Sequence, residues 1–137
     1  MKPELSDPSL LRTTSYVAGR WMAAAGSSLT VTNPATGGAV AEVSMVTASE
    51  TEAAISAAHE AMRGWRAAPA KARAQVLRRW FDLMMAHQED LAIIMTTEQG
   101  KALAESRGEV AYGAAFMEWF GEQAKRIDGD VIPAPSS

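Results

Sequence analysis

Apolar positions recur at steps of three and four from Leu103 to about Ile127, the longest patterned stretch in the chain. Tyr112, Phe116, Trp119 and Phe120 fall on one stripe, which Ala111, Ala114, Ala115 and Met117 widen. Glu105, Arg107, Glu109, Glu122, Lys125 and Arg126 crowd the other side. The spacing predicts one long helix. Glu98-Gln99-Gly100-Lys101 ends the helix before it, with Gly100 as the left-handed cap. Gly129 and Pro133 require the long helix to end near Ile127.

The pattern upstream alternates first and turns helical later. Residues 1–15 are polar, carry Pro3 and Pro8, and are expected to be a loose leader. Tyr16–Trp21 reads as a short strand, Ala24–Ser28 as the turn after it, and Leu29–Thr32 as a second strand rich in β-branched residues. The Asn-Pro and Gly-Gly pairs of Asn33–Gly38 mark a turn, and Ala39–Ser44 returns as a third strand. Ser49-x-x-Glu52 has the form of a capping box opening a helix, with Ile55, Ala58, Met62 and Trp65 on its buried face and Gly64 and Pro69 setting its end. A second helix starts near Pro69, a residue suited to a first turn. Its stripe is Val76, Leu77, Trp80, Phe81 and Met84, with Lys71, Arg73, Arg78 and Arg79 toward water. A third helix, from near Gln88, carries Leu91, Ile94 and Met95.

Composition narrows the chemistry. A chain of 137 residues with 47% hydrophobic residues is one globular domain in size and too apolar for disorder. The net charge of −3 gives no electrostatic case for nucleic acid. There is no cysteine, so a disulfide scaffold, a thiolate zinc site and a cysteine nucleophile within this chain are excluded. Residues 1–14 lack the apolar run of a signal peptide, and the most apolar short run, Leu91–Met95, is far too short to span a bilayer. No membrane partner and a cytoplasmic location are expected. No glycine-rich phosphate loop is present. His59 and His87 fall on different predicted helices without metal-ligand spacing. Glu105 and Glu109 form a like-charge pair that needs a pocket before it could act as acid and base.

The stretch from Glu98 to Pro133 reads E-Q-G-K-x-L-x-E-x-x-G-E-V-x-Y-x-x-x-F-x-E-W-F-x-E-x-x-K-R-x-x-G-D-x-I-P. It closely resembles the NAD(P)-dependent aldehyde dehydrogenases, and within them the succinate-semialdehyde dehydrogenases most. The resemblance reaches back to about Tyr16 and includes the V-x-N-P-A-T-G-type turn between two strands. Ala102 stands where a proline usually follows Gly-Lys, and Asp128 where an aromatic or apolar residue is common.

The resemblance implies an α/β parent fold with a Rossmann-like cofactor domain. Residues 16–137 would be the truncated N-terminal part of that domain, a short β region followed by about four helices. It also implies a mechanism in which a cysteine attacks the aldehyde, hydride passes to the nicotinamide and a glutamate activates water to hydrolyse the thioester. No catalytic or cofactor-binding residue of that scheme falls in this chain. The parent would use NADP or NAD, take a small aldehyde such as succinate semialdehyde, and form a homo-oligomer, a dimer or tetramer. The chain alone would bind no cofactor tightly, expose its apolar stripes, fold marginally at best and lack activity.

Two sites carry over residue by residue. Tyr112, Phe116 and Trp119 match the helix bordering the aldehyde entrance tunnel; the plainer reading of these aromatics is core packing. Glu118, beside Trp119, would repel a carboxylate substrate, so it is expected to point elsewhere or be paired. The backbone of Val31 and Thr32 with the carboxylate of Glu98 matches a structural monovalent cation site, which oxygen ligands suit. The readings outside this enzyme class are a small helical interaction module and an inert truncated product.

Overall fold

The computed structural model describes residues 3–23 and 25–133. Residues 1 and 2 of the expected leader and Ala24 of the expected turn lie outside the described residues. The elements are β1 (Ser15–Val17), β2 (Arg20–Met22), β3 (Ser28–Thr32), β4 (Ala39–Ser44), α1 (Ala48–Ala67), α2 (Ala70–Ala86), α3 (Gln88–Gln99) and α4 (Leu103–Gln123). A short β region followed by four helices is the expected organisation.

The expected single strand Tyr16–Trp21 is instead a hairpin, because Ala18 and Gly19 both take positive φ, 49° and 80°. Two successive residues of that hand make a tight turn that matches strand twist. Tyr16 and Trp21 then pair across the strands, edge to face at 5.1 Å, with the Arg12 guanidinium 4.9 Å from the indole. The second hairpin, β3–β4, pairs antiparallel from Ser28↔Ser44 to Thr32↔Ala39, with an irregularity between Val31 and Thr32. Its turn is closed by Asn33, whose side-chain oxygen accepts the Ala35 N–H at 2.9 Å while its carbonyl accepts the Gly37 N–H at 2.8 Å.

The cap of helix α1 lies two residues before the expected one. Thr47 caps it, and the box is Thr47-x-x-Glu50: the Thr47 hydroxyl accepts the Glu50 N–H, and Glu50 accepts the Thr47 N–H at 2.8 Å. Glu50 also accepts the Ala25 N–H at 2.8 Å. The expected buried face of α1 is not buried. No residue of the helix is, and Ile55 is 65% exposed with Met62 and Trp65 also in the open.

One part of the core is Val40 and Ala41 of β4; the other lies where α4 packs on α2 and α3, and it is built from small residues. Val110 and Ala114 of α4, Ala74 of α2 and Ala92 of α3 are buried. A Cβ on Gly121 would sit in ordinary van der Waals contact, 3.4 Å from Leu77 Cβ and 3.5 Å from the Ala74 carbonyl, so the seam has room for a methyl group there but not for a long side chain. Ser106 is 0% exposed and shares a 2.8 Å hydrogen bond with Thr96, satisfying both hydroxyls across the α3–α4 hairpin. Gly100 caps α3 with φ 75°, as expected.

The α2 stripe divides: Leu77, Phe81 and Met84 are half-buried, while Val76 and Trp80 are exposed. Arg73 is not a solvated side chain as expected; its Nε is buried without a hydrogen-bond partner. Helix α4 stops at Gln123 rather than Ile127. Its carbonyls at Glu122 and Gln123 take N–H groups only three residues on, from Lys125 and Arg126, so the last turn tightens and ends the helix. The expected loose leader is tied down at Ser6 and Asp7, whose N–H groups reach Asp90 of α3.

Candidate functional site

Helix α4 has two apolar faces. At about 100° per residue, Ser106, Val110, Ala114, Met117 and Gly121 gather on one side and Tyr112, Ala115, Phe116, Trp119 and Phe120 on roughly the opposite one. The first face is the packed one. Ala114 and Met117 therefore do not widen the aromatic stripe, as their spacing suggested, but turn inward.

The aromatic face does not pack the core of this chain. Tyr112 is 69% and Trp119 61% exposed, and Phe116 and Phe120 are exposed with them. Tyr112 and Phe116 meet edge to face at 5.0 Å. With Ala115, Trp119 and Phe120 they line an open groove of about 380 Å³. All of its wall comes from one helix. Such a surface can hold and orient an apolar or carbonyl-bearing molecule. It holds no nucleophile, acid or base suited to attack an aldehyde.

Most charged groups flank this face, while Glu105 and Glu109 fall on the aromatic side, one to two turns before Tyr112. Glu118 is paired as expected: the Arg78 guanidinium donates to it at 3.1 Å and to Asp82 at 3.0 Å. Arg107 donates twice to Glu89 of α3, at 2.7 Å each, a two-pronged geometry that holds the Glu89 carboxyl below its ordinary pKa and raises that of Arg107. Glu109, read from sequence beside Glu105, is held by Lys101. Glu122 is lowered by the hydrogen bond from Lys125 at 3.0 Å.

Val31 is half-buried, and Thr32 and Glu98 are exposed. The turn after β3 does meet the end of α3, since a Cβ on Gly100 would lie 2.7 Å from Pro34 Cγ. Glu98 lines a groove with Met84, Leu91, Ile94 and Glu109, whereas Asn33, Thr36 and Gly38 line a different one with Ile93 and Thr97. Among the described residues no cluster of three or more His, Cys, Asp or Glu could hold a metal ion, and no helix is long and apolar enough to cross a membrane. His87 joins α2 to α3 as the shared cap residue, and His59 is exposed on α1.

Sequence spacing missed Asp90 and Glu50. Asp90 holds main-chain N–H groups only from a distant segment, which nothing local signals, whereas Glu50 belongs to a locally readable box and adds the distant Ala25 N–H.

A model of the aldehyde dehydrogenase family matches residues 21–137. Over 131 residues the chain is 55% identical to the glutarate-semialdehyde dehydrogenase of Pseudomonas aeruginosa, covering 95% of this chain and 27% of that enzyme. Over 131 residues it is 52% identical to the NADP(+) succinate-semialdehyde dehydrogenase of Escherichia coli K12, again covering 95% and 27%. The crystal structure of an aldehyde dehydrogenase from Brucella melitensis biovar abortus 2308 superposes with a TM-score of 0.93 at 53% identity, covering 96% of this chain and 28% of that one. The chain spans about a quarter of the length of the curated relatives it matches. With the family match running from β2 through all four helices, and the aromatic face of α4 inside it, the chain belongs to the aldehyde dehydrogenase family.

Proposed function

We propose that this chain is the N-terminal segment of a longer NAD(P)-dependent aldehyde dehydrogenase that oxidises a semialdehyde, succinate semialdehyde first, to the carboxylate. The observation that carries the reading is the outward face of Tyr112, Phe116 and Trp119. It is an aromatic surface on a helix whose other side is already packed, within a family member. In the reaction an aldehyde, a water and an oxidised nicotinamide give a carboxylate, a reduced nicotinamide and protons. The part of this chain is to supply one wall of the aldehyde's entrance, which orients the carbonyl and limits water. The chain has no cysteine, so the nucleophile belongs to the remainder of the protein. Paired with Arg78, Glu118 presents less negative charge to an anionic substrate passing Trp119.

Glutarate and succinate semialdehydes are each named for a relative of similar identity, and NADP(+) is named for the second. The same reading assigns a monovalent cation to the carbonyls of Val31 and Thr32 with the Glu98 carboxylate, supported by the seating of Pro34 against Gly100. It also makes the whole protein a homo-oligomer acting in the cytoplasm. The isolated 137-residue chain is inactive on this reading.

The test starts at the nucleotide sequence after the Ser137 codon. It is expected to continue in frame into a cysteine-bearing segment, and the whole protein is expected to reduce NADP+ or NAD+ in the presence of succinate semialdehyde. A whole protein that reduces neither cofactor with succinate or glutarate semialdehyde overturns the reading. Cofactor reduction by the purified 137-residue chain would overturn its last part.

A further inference from the structure

Extensive packing in this chain occurs within the β3–β4 hairpin and within the helical layer; strands and helices share little. Something else must hold the two parts together. The Pro34–Gly100 contact is one bridge and the Glu50 bond to the Ala25 N–H another. The third is larger. Asp90, in the first turn of α3, is only 4% exposed. Its Oδ1 accepts the Ser6 N–H at 2.9 Å and its Oδ2 the Asp7 N–H at 2.8 Å. Among the described residues no cationic side chain pairs with it.

Asp7 then accepts the Ser9 N–H at 2.9 Å, which shapes the turn at Pro8–Leu10. At its far end the same segment is fastened to the hairpin. The Thr13 carbonyl accepts the Ser44 N–H at 3.0 Å and the Ser44 hydroxyl at 3.3 Å. Between the two anchors, Leu5, Pro8 and Leu11 line one groove with Ala41 and Glu42 of β4. Pro3 and Glu4 line another with the β3–β4 turn and with Ile93 and Thr97 of α3.

We propose that residues 3–14 form a strap, locked by Asp90, that holds the β3–β4 hairpin to the helices. A buried carboxylate is costly without partners, and here both oxygens are served by main-chain donors of the strap. Lifting the strap exposes or strands that carboxylate, so strap docking and Asp90 burial occur together. The strap is therefore part of the fold and not a leader. This inference does not depend on which aldehyde the protein oxidises, or on whether it oxidises one.

Amide hydrogen exchange in the intact protein tests it. Ser6 and Asp7 are expected to be protected. In Asp90→Ala their protection falls roughly ten- to a hundredfold, the scale of a hydrogen bond to a charged group. Exchange along β3–β4 rises with it, while α2–α4 pairing is retained. Asp90→Asn, with one acceptor oxygen left, falls between. Should Asp90→Ala fail to fold, Ser6→Pro decides: it deletes one strap donor without touching the helices, and the same loss at Asp7 and along the hairpin is expected. Unchanged protection at Asp7 in the variant that folds overturns the lock. Loss at Asp7 with β3–β4 exchange unchanged overturns the holding role.

Discussion

Replacing Gly100 by alanine tests how the β hairpin seats on the helices, and its cost has two separable parts. The residue has φ 75°, where a Cβ crowds the following carbonyl at about 1–2 kcal/mol. The new Cβ would also stand 2.7 Å from Pro34 Cγ, well inside the roughly 3.5–4.0 Å at which carbons rest. A proline ring cannot swing aside as a flexible chain end would, so overpacking adds about 1–3 kcal/mol. Gly100→Ala should therefore cost about 2–5 kcal/mol in all. Pro34→Ala removes only the clash, and in that background Gly100→Ala should cost about 1–2 kcal/mol. The difference is a coupling of at least about 1 kcal/mol between residues 66 apart in sequence. Exchange of the Gly100 amide, bonded to the Thr96 carbonyl at 2.8 Å, reports the local opening free energy without requiring two-state unfolding of a long protein. A coupling within about 0.3–0.5 kcal/mol of zero would mean that Pro34 does not press on α3, and the reasoning fails.

Other expectations are equally direct. Thr47→Ala should weaken α1 by about 1 kcal/mol, read as faster exchange over its first turn. Glu50 is held below its ordinary pKa by the N–H of Thr47 first and that of Ala25 next. A depressed carboxyl stabilises the fold above its ordinary pKa of 4.5 and loses that contribution as pH falls through the lower folded value. Glu50→Gln should thus flatten the acid limb of a stability–pH profile; an unaltered limb refutes the assignment. Ala102 has φ −64° and ψ 139°, angles proline adopts, and it precedes α4 without donating a described main-chain bond. Ala102→Pro is expected to be neutral or to stabilise by about 0.4–1 kcal/mol in thermal unfolding. In the whole protein, Trp119→Ala should lower kcat/KM for a semialdehyde about tenfold while leaving the KM for the nicotinamide unchanged. An equal loss against both substrates would point to general destabilisation instead of a tunnel wall.

The long helix was legible because its two ends carry strong signals, Gly100 before it and the Gly129–Pro133 stretch after it. What spacing alone misjudged was which apolar residues belong together. Ala114 and Met117 lie close in sequence to Phe116 and Trp119, but they sit on the opposite side of the cylinder. A helix apolar on both sides has no single stripe, and a pattern read as one stripe merges the two. The capping error has a similar cause. Thr47-x-x-Glu50 and Ser49-x-x-Glu52 are both legal boxes, and the one that forms is the one whose glutamate also holds the Ala25 N–H, more than twenty residues away. The hairpin at Ala18-Gly19 was missed because alanine rarely takes positive φ. Asp90 gave no signal at all, since its partners lie 83 and 84 residues earlier.

These misreadings share a physical origin that bears on the site itself. Burial sorted small residues inward and aromatics outward: Ser106 is fully buried while Tyr112, Trp119, Val76, Trp80, Ile55 and Trp65 are not. That is the reverse of what the hydrophobic effect favours in a free-standing domain of this size. Small residues at α2–α4 let the backbones approach until a Cβ at Gly121 would touch both Leu77 and Ala74. Leu77, Met84 and Met117 are half-buried along this seam, while the aromatic residues of α4 project from its far face. The seam and the exposed aromatic wall lie on opposite sides of one helix, so the seam fixes where the wall points. A larger residue at Gly121, such as leucine, would force α2 and α4 apart and re-aim Trp119 and Phe116 along with the helix that carries them. The geometry of the proposed aldehyde entrance is therefore set on the side of α4 that the aldehyde never meets.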